Sequence, residues 1–156
     1  MKKILLLFSV FFYAAGNLFA DDYPKNHDID IQHYAFALTL SDQSDEIKGE
    51  ATVTVSFKKD DLQQMRLDLI NRTSARDGRG MVVESVTSGG KTLQFTHEND
   101  ALVIQFAEPA ASGEILQITV TYAGTPADGL RIGETKYGDR SFLAITGQTG
   151  PGTGFP

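Results

Sequence analysis

Apolar and polar residues alternate along most of the chain after residue 27, and this period of two constrains the fold more than any other feature. In residues 28–40 the large apolar side chains share one face of the pattern: Tyr34, Phe36, Leu38 and Leu40. The opposite face carries smaller or polar side chains: His33, Ala35, Ala37 and Thr39. Because side chains of a β-strand point alternately to the two sides of a sheet, this stretch is predicted to be a half-buried strand with its aromatic face inward.

The same alternation predicts six further short strands. They cover residues 51–57, 65–69, 81–87, 92–96, 102–106 and 116–122. Polar or Gly- and Pro-containing turns separate them at residues 41–46, 88–90, 98–100 and 109–113, and residues 71–80 are predicted to be a loop. No stretch favours a helix of even three turns. The sequence therefore predicts an all-β fold, either an antiparallel β-sandwich or a curved, saddle-like sheet.

The first 20 residues have the layout of a secretory signal peptide. Lys2 and Lys3 precede an apolar run from Ile4 to Gly16, and Ala20 stands just before an acidic pair. The run is shorter than the ~20 apolar residues that a membrane span needs, so no stable membrane span is expected. We predict a signal peptide over residues 1–20 and export to the periplasm or the medium, with cleavage after Ala20 or Gly16. A buried N-terminal helix and an uncleaved membrane anchor are the alternatives.

Net charge and cysteine content exclude several classes of function. Without Lys2 and Lys3, the 14 basic residues become 12 against 20 acidic ones, which gives the remainder a net charge of −8. Phosphate contacts need clustered Lys and Arg, so we expect no nucleic-acid partner. The chain has no Cys. This excludes a disulfide framework, a thiolate metal site, a Cys nucleophile and a lipid anchor on Cys.

Residues that carry catalysis or bind metals are sparse. His occurs only at positions 27, 33 and 97, and no H-E-x-x-H pair is present. His27 and His33 would lie about 20 Å apart along one strand, too far to share a metal. A serine nucleophile would need a G-x-S-x-G elbow, which is also missing. We therefore assign no catalytic, cofactor-binding or metal-binding residue to this chain, and we interpret its histidines as structural hydrogen-bonding residues.

Three weaker motifs have simpler interpretations. The acidic groups lack the spacing of a calcium loop, so they are interpreted as solvated turns: Asp42, Asp45, Glu46, Asp60 and Asp61. Asn71-Arg72-Thr73 matches an N-glycosylation acceptor, which we expect to be unused in a bacterial type of export. Residues 147–152 have the glycine spacing of a phosphate loop, but Thr153 stands where the required Lys would be, and we reject that reading.

Several short segments, in order, resemble one protein family over residues 28–144. They are Asp28-Ile29-Asp30-Ile31-Gln32-His33-Tyr34, Ile47-Lys48-Gly49-Glu50-Ala51, Leu67-Asp68-Leu69, Tyr122-Ala123-Gly124-Thr125-Pro126 with Gly129-Leu130, and Tyr137-Gly138-Asp139-Arg140-Ser141-Phe142. Their order and spacing resemble the zinc aminopeptidases of the aminopeptidase N type. The resemblance implies the N-terminal β domain of such an enzyme, which packs against a thermolysin-like zinc domain.

This resemblance does not imply catalysis in the chain itself. The zinc motif and the exopeptidase motif of the family lie in the following domain, so zinc and peptide substrates are expected only in an intact parent protein. The partner that the resemblance implies for this chain is the catalytic domain of that same parent. We therefore expect a non-catalytic piece of a zinc aminopeptidase, with residues 21–144 as its β domain.

The last twelve residues, 145–156, differ in composition from the rest of the chain. They hold four Gly, three Thr and two Pro, and they carry no charge. The resemblance implies that the family would continue here approximately as D-N-W-P-D-R-A-R-H-W-F-P. Codons can be chosen for that peptide such that reading them one nucleotide out of frame gives residues 145–156. A frameshifted or truncated fragment is one hypothesis, and a natural flexible Gly/Thr tail is the other.

A second class of function is a stand-alone secreted β-sandwich that binds a ligand or mediates adhesion. Such a module would need a ligand surface of its own. The chain has no Trp, a residue that often stacks on sugars, although its five Tyr could serve instead. A self-sufficient enzyme is a third reading, which amide hydrolysis that a chelator abolishes would support.

Overall fold

The computed structural model describes residues 26–144, and 69% of these residues lie in β-strands. The strands are β1 (Ile29–Ser41), β2 (Ser44–Phe57), β3 (Leu62–Asp68), β4 (Gly80–Ser88), β5 (Lys91–Thr92), β6 (Gln94–Glu98), β7 (Ala101–Ala110), β8 (Ile115–Thr125), β9 (Leu130–Glu134) and β10 (Arg140–Ala144). One turn of 3-10 helix, Ser74–Arg76, lies in the predicted loop over residues 71–80. The prediction of an all-β fold is confirmed.

The strands form three antiparallel sheets. The largest has five strands in the order β1-β2-β8-β4-β5, the second has three in the order β3-β7-β6, and β9 pairs with β10 in a small third sheet. The predicted hairpin between the first two strands is present, as is the hairpin that turns at residues 98–100. Strands β1 and β3 are therefore edge strands, while β2, β8 and β7 are central.

The five-stranded and three-stranded sheets pack face to face around one apolar core. Val55, Phe57, Val86 and Ile118 reach into it from the larger sheet, and each is at most 1% exposed. The smaller sheet contributes similarly buried side chains: Met65, Leu102 and Ile104. The Phe57 ring also packs edge-on against Phe106, with 5.2 Å between ring centroids. This is the predicted sandwich, built from two sheets of unequal width.

Three of the predicted boundaries are wrong. The turn predicted at residues 41–46 is shorter, because β2 already begins at Ser44. The strand predicted at residues 92–96 is divided at Leu93, so that β5 pairs with β4 in the large sheet and β6 pairs with β7 in the small one. Pro109 does not end its strand, because β7 continues to Ala110. Pro109 lies in a register shift beyond the last β6 partner, where no ladder needs its missing N–H.

The β9–β10 hairpin was not predicted from the sequence. Each strand has only five residues, and the apolar alternation of β9 is limited to Leu130 and Ile132. The two strands pair with each other in register, Ile132 opposite Phe142, and with neither of the larger sheets. A short strand that pairs only with its neighbour has little periodicity to reveal it.

A bulge near the start of β1 keeps its apolar side chains on one face. Ile31 lies opposite Val55, but Tyr34 lies opposite Val53, so one extra residue is inserted at Gln32. Before the insertion, odd-numbered side chains such as Ile31 point to the inner face of the sheet. After it, even-numbered side chains such as Tyr34 point to that face. Without it, the aromatic side chains that follow would point away from the core.

Candidate interaction surface

The inner face of the large sheet extends beyond the small sheet that covers it. Tyr34 of β1 lies opposite Val53 of β2, and Phe36 lies opposite Ala51, so all four side chains share one face. Val53 is buried at 1% exposure, whereas Phe36 is 63% exposed. The same face is therefore covered at β2 and open at β1.

The uncovered part of this face is a row of four large apolar side chains, which we call the β1 stripe: Tyr34, Phe36, Leu38 and Leu40. Between 41% and 63% of each side chain is exposed. The prediction that this face of the strand is buried is therefore wrong. Its physical reason is that the three-stranded sheet ends at β3, which leaves the outermost strand of the larger sheet without a layer above it.

An apolar groove of about 240 Å³ runs between the β1 stripe and the edge of the small sheet. Tyr34 and Phe36 form one wall, and Leu67 and Leu69, beside the edge of the small sheet, form the other. Tyr122 lines the groove from β8, and burial raises the pKa of its phenol. The sandwich is open on this side.

The two aromatic rings of the stripe hold each other in place. Tyr34 and Phe36 stack with 5.8 Å between ring centroids and 7° between ring planes. Two stacked rings lose little conformational freedom when a partner covers them, because each has only two side-chain torsions. Rigid exposed aromatic residues of this kind are enriched in the centres of protein interfaces.

An ion pair connects the β9–β10 hairpin to the large sheet. The Arg140 guanidinium at the start of β10 contacts the Asp45 carboxylate in β2. The Arg140 side chain is 23% exposed, and its Nε has no hydrogen-bond partner among the described residues. The sequence predicts Asp45 in a solvated turn; its carboxylate is exposed, but the turn is wrong, because Asp45 lies in β2.

The glycosylation motif lies in a tight hydrogen-bond network. The Asn71 Oδ1 accepts from the Asp100 N–H at 2.8 Å, and the Asp100 Oδ1 accepts from the Asn71 N–H at 3.1 Å. Arg76 donates to the same carboxylate, and this hydrogen bond lowers the pKa of Asp100 below the ordinary 3.8. The Asn71 side chain therefore connects the loop over residues 71–80 to the turn at residues 98–100.

The three histidines lie apart. His27 and His33 are exposed, whereas the His97 Nε2 lies 2.8 Å from the Leu69 carbonyl oxygen, the structural role expected for a strand histidine. Residues 26–144 contain no group of three or more His, Cys, Asp or Glu that could hold a metal ion. The described residues therefore do not fit the zinc that the resemblance implies for the parent.

Three other predicted features concern the two ends of the chain. The glycine-rich segment 147–152, the signal peptide over residues 1–20 and the tail over residues 145–156 lie outside the described residues. Within residues 26–144, no helix is long and apolar enough to cross a membrane.

Asp60, interpreted as a solvated turn residue, accepts from the Ser112 N–H at 2.7 Å and so joins two turns.

The β1 stripe is the feature that reasoning from the sequence missed. The alternation located its four side chains but could not show that the covering sheet is too narrow to reach them. One signal was present: the apolar positions change from Ile29 and Ile31 to Tyr34 and Phe36, which marks a bulge at Gln32. Bulges are common at sheet edges, so this change of parity could have identified β1 as an edge strand.

Solved structures share this fold, although no family model matches the sequence and no curated protein matches it. A mutant two-domain M1 zinc metallopeptidase bound to L-tryptophan aligns with a TM-score of 0.54 and 24% identity over 65% of this chain. An M1 zinc metallopeptidase from Deinococcus radiodurans aligns with a TM-score of 0.52 and 25% identity over 64% of it. A mutant of the Deinococcus protein bound to a Tyr-Ser-Ala substrate gives 0.53 and 25%.

The chain spans only about a fifth of the length of these proteins, 21% in each case. The similarity is to their N-terminal domain, and it supports the interpretation of the described residues as a non-catalytic domain of a peptidase. The fold therefore agrees with the resemblance found in the sequence, at the level of the domain.

Proposed function

We propose that this chain is the non-catalytic N-terminal domain of an exported zinc metallopeptidase, and that the β1 stripe packs against the zinc-bearing domain of the same protein. The observation that carries the proposal is the position of the stripe. It lies on the inner face of a sandwich whose second sheet does not reach it, in a fold shared with one domain of larger peptidases.

The size of the exposed surface supports a docking role. About half of four large side chains is exposed, on the order of 300–400 Å² of apolar surface in one row. The largest apolar patch of a typical monomeric protein has about this size, roughly 300–600 Å², and such a patch is often functional. A neighbouring domain that covered the stripe would complete the sandwich and bury its aromatic rings.

The role of this domain in the parent is structural. Amide hydrolysis by a metallopeptidase requires a metal that polarises the carbonyl and activates water, and the described residues offer no ligand set for it. The domain would brace the zinc-bearing domain and help to enclose the place where the amino end of a peptide is held. Peptide hydrolysis belongs to the parent, and the chain by itself is inactive.

The coding DNA tests this proposal. We expect another reading frame, beginning near the codon of Ala144, to continue with D-N-W-P and later to encode H-E-x-x-H followed by a downstream Glu. Expression of the restored frame should give a zinc-containing protein that removes N-terminal residues from peptides, and a chelator should abolish that activity. The chain of 156 residues, prepared in the same way, should show no hydrolysis.

A coding sequence that ends after Pro156 with no such frame downstream would contradict the proposal. The chain would then be a stand-alone secreted module, and the β1 stripe would be its own ligand surface. Hydrolysis by the chain alone that a chelator abolishes would contradict both readings.

A further inference from the structure

The free edges of the two larger sheets are protected to different degrees. An edge strand presents unpaired N–H and C=O groups, and proteins usually limit this hazard with short strands, charged side chains or bulges. Strand β5 has two residues and carries Lys91, β6 has five residues and carries Glu98, and β3 carries Arg66 and Asp68 beside a register shift. Three of the four edges are therefore protected.

Strand β1 lacks these protections over most of its length. It is 13 residues long, and from Gln32 to Ser41 it contains no Asp, Glu, Lys, Arg or Pro. The pairing with β2 is regular between His33 and Thr39, so no bulge turns this part of the edge away. An unprotected edge beside an exposed apolar stripe is a template for another strand.

We propose that the β1 edge pairs antiparallel with the β1 edge of a second copy of this chain, about a two-fold axis at Ala37. This goes beyond the proposed function, because it concerns the chain when no zinc-bearing domain covers the stripe. The two large sheets would then join into one continuous antiparallel sheet. The interface is isologous, since the same strand serves on both sides.

The sequence of β1 is self-complementary in this register. Tyr34 lies opposite Leu40 of the other copy, and Phe36 lies opposite Leu38, so the two stripes form a single apolar surface. No like charges face each other, because the paired stretch from Gln32 to Ser41 contains no Asp, Glu, Lys or Arg. Moving the axis to Phe36 would leave Leu40 opposite Gln32, at the bulge, which makes that register less favourable.

Engineered thiols test the register, since the chain has no Cys of its own. In Ala37→Cys the two new thiols face each other across the axis, within the Cα separation that a disulfide requires. In Ala35→Cys each thiol lies opposite Thr39 of the other copy, so the two thiols are about 14 Å apart, too far to join. Both variants make the same change on the same face of the same strand, away from the stripe.

The experiment uses the full chain in sedimentation velocity over a wide range of protein concentration, followed by oxidation of the two variants with copper phenanthroline. We expect a concentration-dependent shift from monomer to dimer, and a disulfide-linked dimer that forms at least about tenfold faster for Ala37→Cys than for Ala35→Cys. Circular dichroism of both variants checks that they fold.

Two results would overturn the self-pairing: a chain that stays monomeric at every concentration, or equal rates of cross-linking for the two variants. Neither result would affect the proposed function, which depends on the downstream reading frame and on the activity of the restored protein. The two proposals can therefore fail independently.

Discussion

Gly49 in β2 lies opposite Tyr122 in β8, and the tyrosine ring occupies the space where a side chain at position 49 would stand. A Cβ built on Gly49 would overlap the ring and crowd its hydroxyl group. Tyr122 lines the groove beside the β1 stripe, so this glycine sets the depth of the groove. The absence of a side chain here is a packing requirement and not a need for unusual backbone torsions.

We predict that Gly49→Ala lowers the free energy of unfolding by about 1–3 kcal/mol, because overpacking forces the Tyr122 ring to move. Gly133→Ala is the matched control, since a Cβ at that position meets nothing within 4 Å. Urea unfolding of both variants provides the measurement. Equal stability of the two variants would show that the tyrosine ring moves aside without cost.

Asp100 gives the fold a dependence on pH. The hydrogen bond from Arg76 holds its pKa below 3.8, so the carboxylate contributes stability that is fully present above that pH and is lost as the pH falls through its folded-state pKa. We predict that Asp100→Asn is less stable than the unmodified chain at neutral pH, and that the difference shrinks as the pH falls below 3.8. Urea unfolding of both proteins at neutral pH and below pH 3.8 measures this stability difference.

Asp77→Asn, an exposed change in the neighbouring loop, is the control for that series. Its effect on stability should be small and should not vary in the same way. A stability difference for Asp100→Asn that persists unchanged at acid pH would contradict the role given to the Arg76–Asp100 pair.

At the scale of elements, the strands in which apolar and polar residues alternate strongly could be predicted from the sequence. The strands with little alternation could not. The strand at residues 51–57 was found because Val55 and Phe57 point into one core, although β2 begins seven residues earlier, at Ser44. β9 and β10 were missed because each has only five residues and no fully buried side chain. The exposure of the β1 stripe could not be predicted, since it depends on the width of a sheet formed by distant residues.

The Arg140–Asp45 ion pair connects the β9–β10 hairpin to the large sheet. We predict that Arg140→Met increases amide hydrogen exchange in both strands by about fivefold, the factor that corresponds to roughly 1 kcal/mol. Arg131→Met on the exposed side of the same hairpin is the control and should leave the exchange unchanged. Exchange that responds equally to both changes, or to neither, would argue against the Arg140–Asp45 pair as the connection.

Two phenylalanines on the same face of the large sheet should differ in their contribution to stability. Phe57 is 1% exposed, so we predict that Phe57→Ala costs about 3–5 kcal/mol through lost burial and the cavity left behind. Phe36 is 63% exposed, so Phe36→Ala should cost about 0.5 kcal/mol or less. Urea unfolding of the two variants compares them directly. A large loss for Phe36→Ala would mean that the stripe is covered in the chain by itself.

At the scale of the whole molecule, the two packed sheets differ in width, and the larger one leaves its outermost strand uncovered. A self-sufficient sandwich normally covers both inner faces, whereas a domain of a larger protein can leave one to its neighbour. Reasoning from the sequence predicted the fold class, but it did not identify the exposed surface to which we assign the docking role. That surface became apparent only from the register of β1 on β2.

The central claim is that a zinc-bearing domain covers the β1 stripe, and hydroxyl-radical footprinting tests it most directly. Tyr34 and Phe36 react readily when exposed, and Phe57 serves as a buried reference in the same sample. We predict that both stripe residues are modified in the chain by itself and become protected in the two-domain protein made from the restored reading frame. Equal modification of Tyr34 and Phe36 in the two proteins would contradict the account.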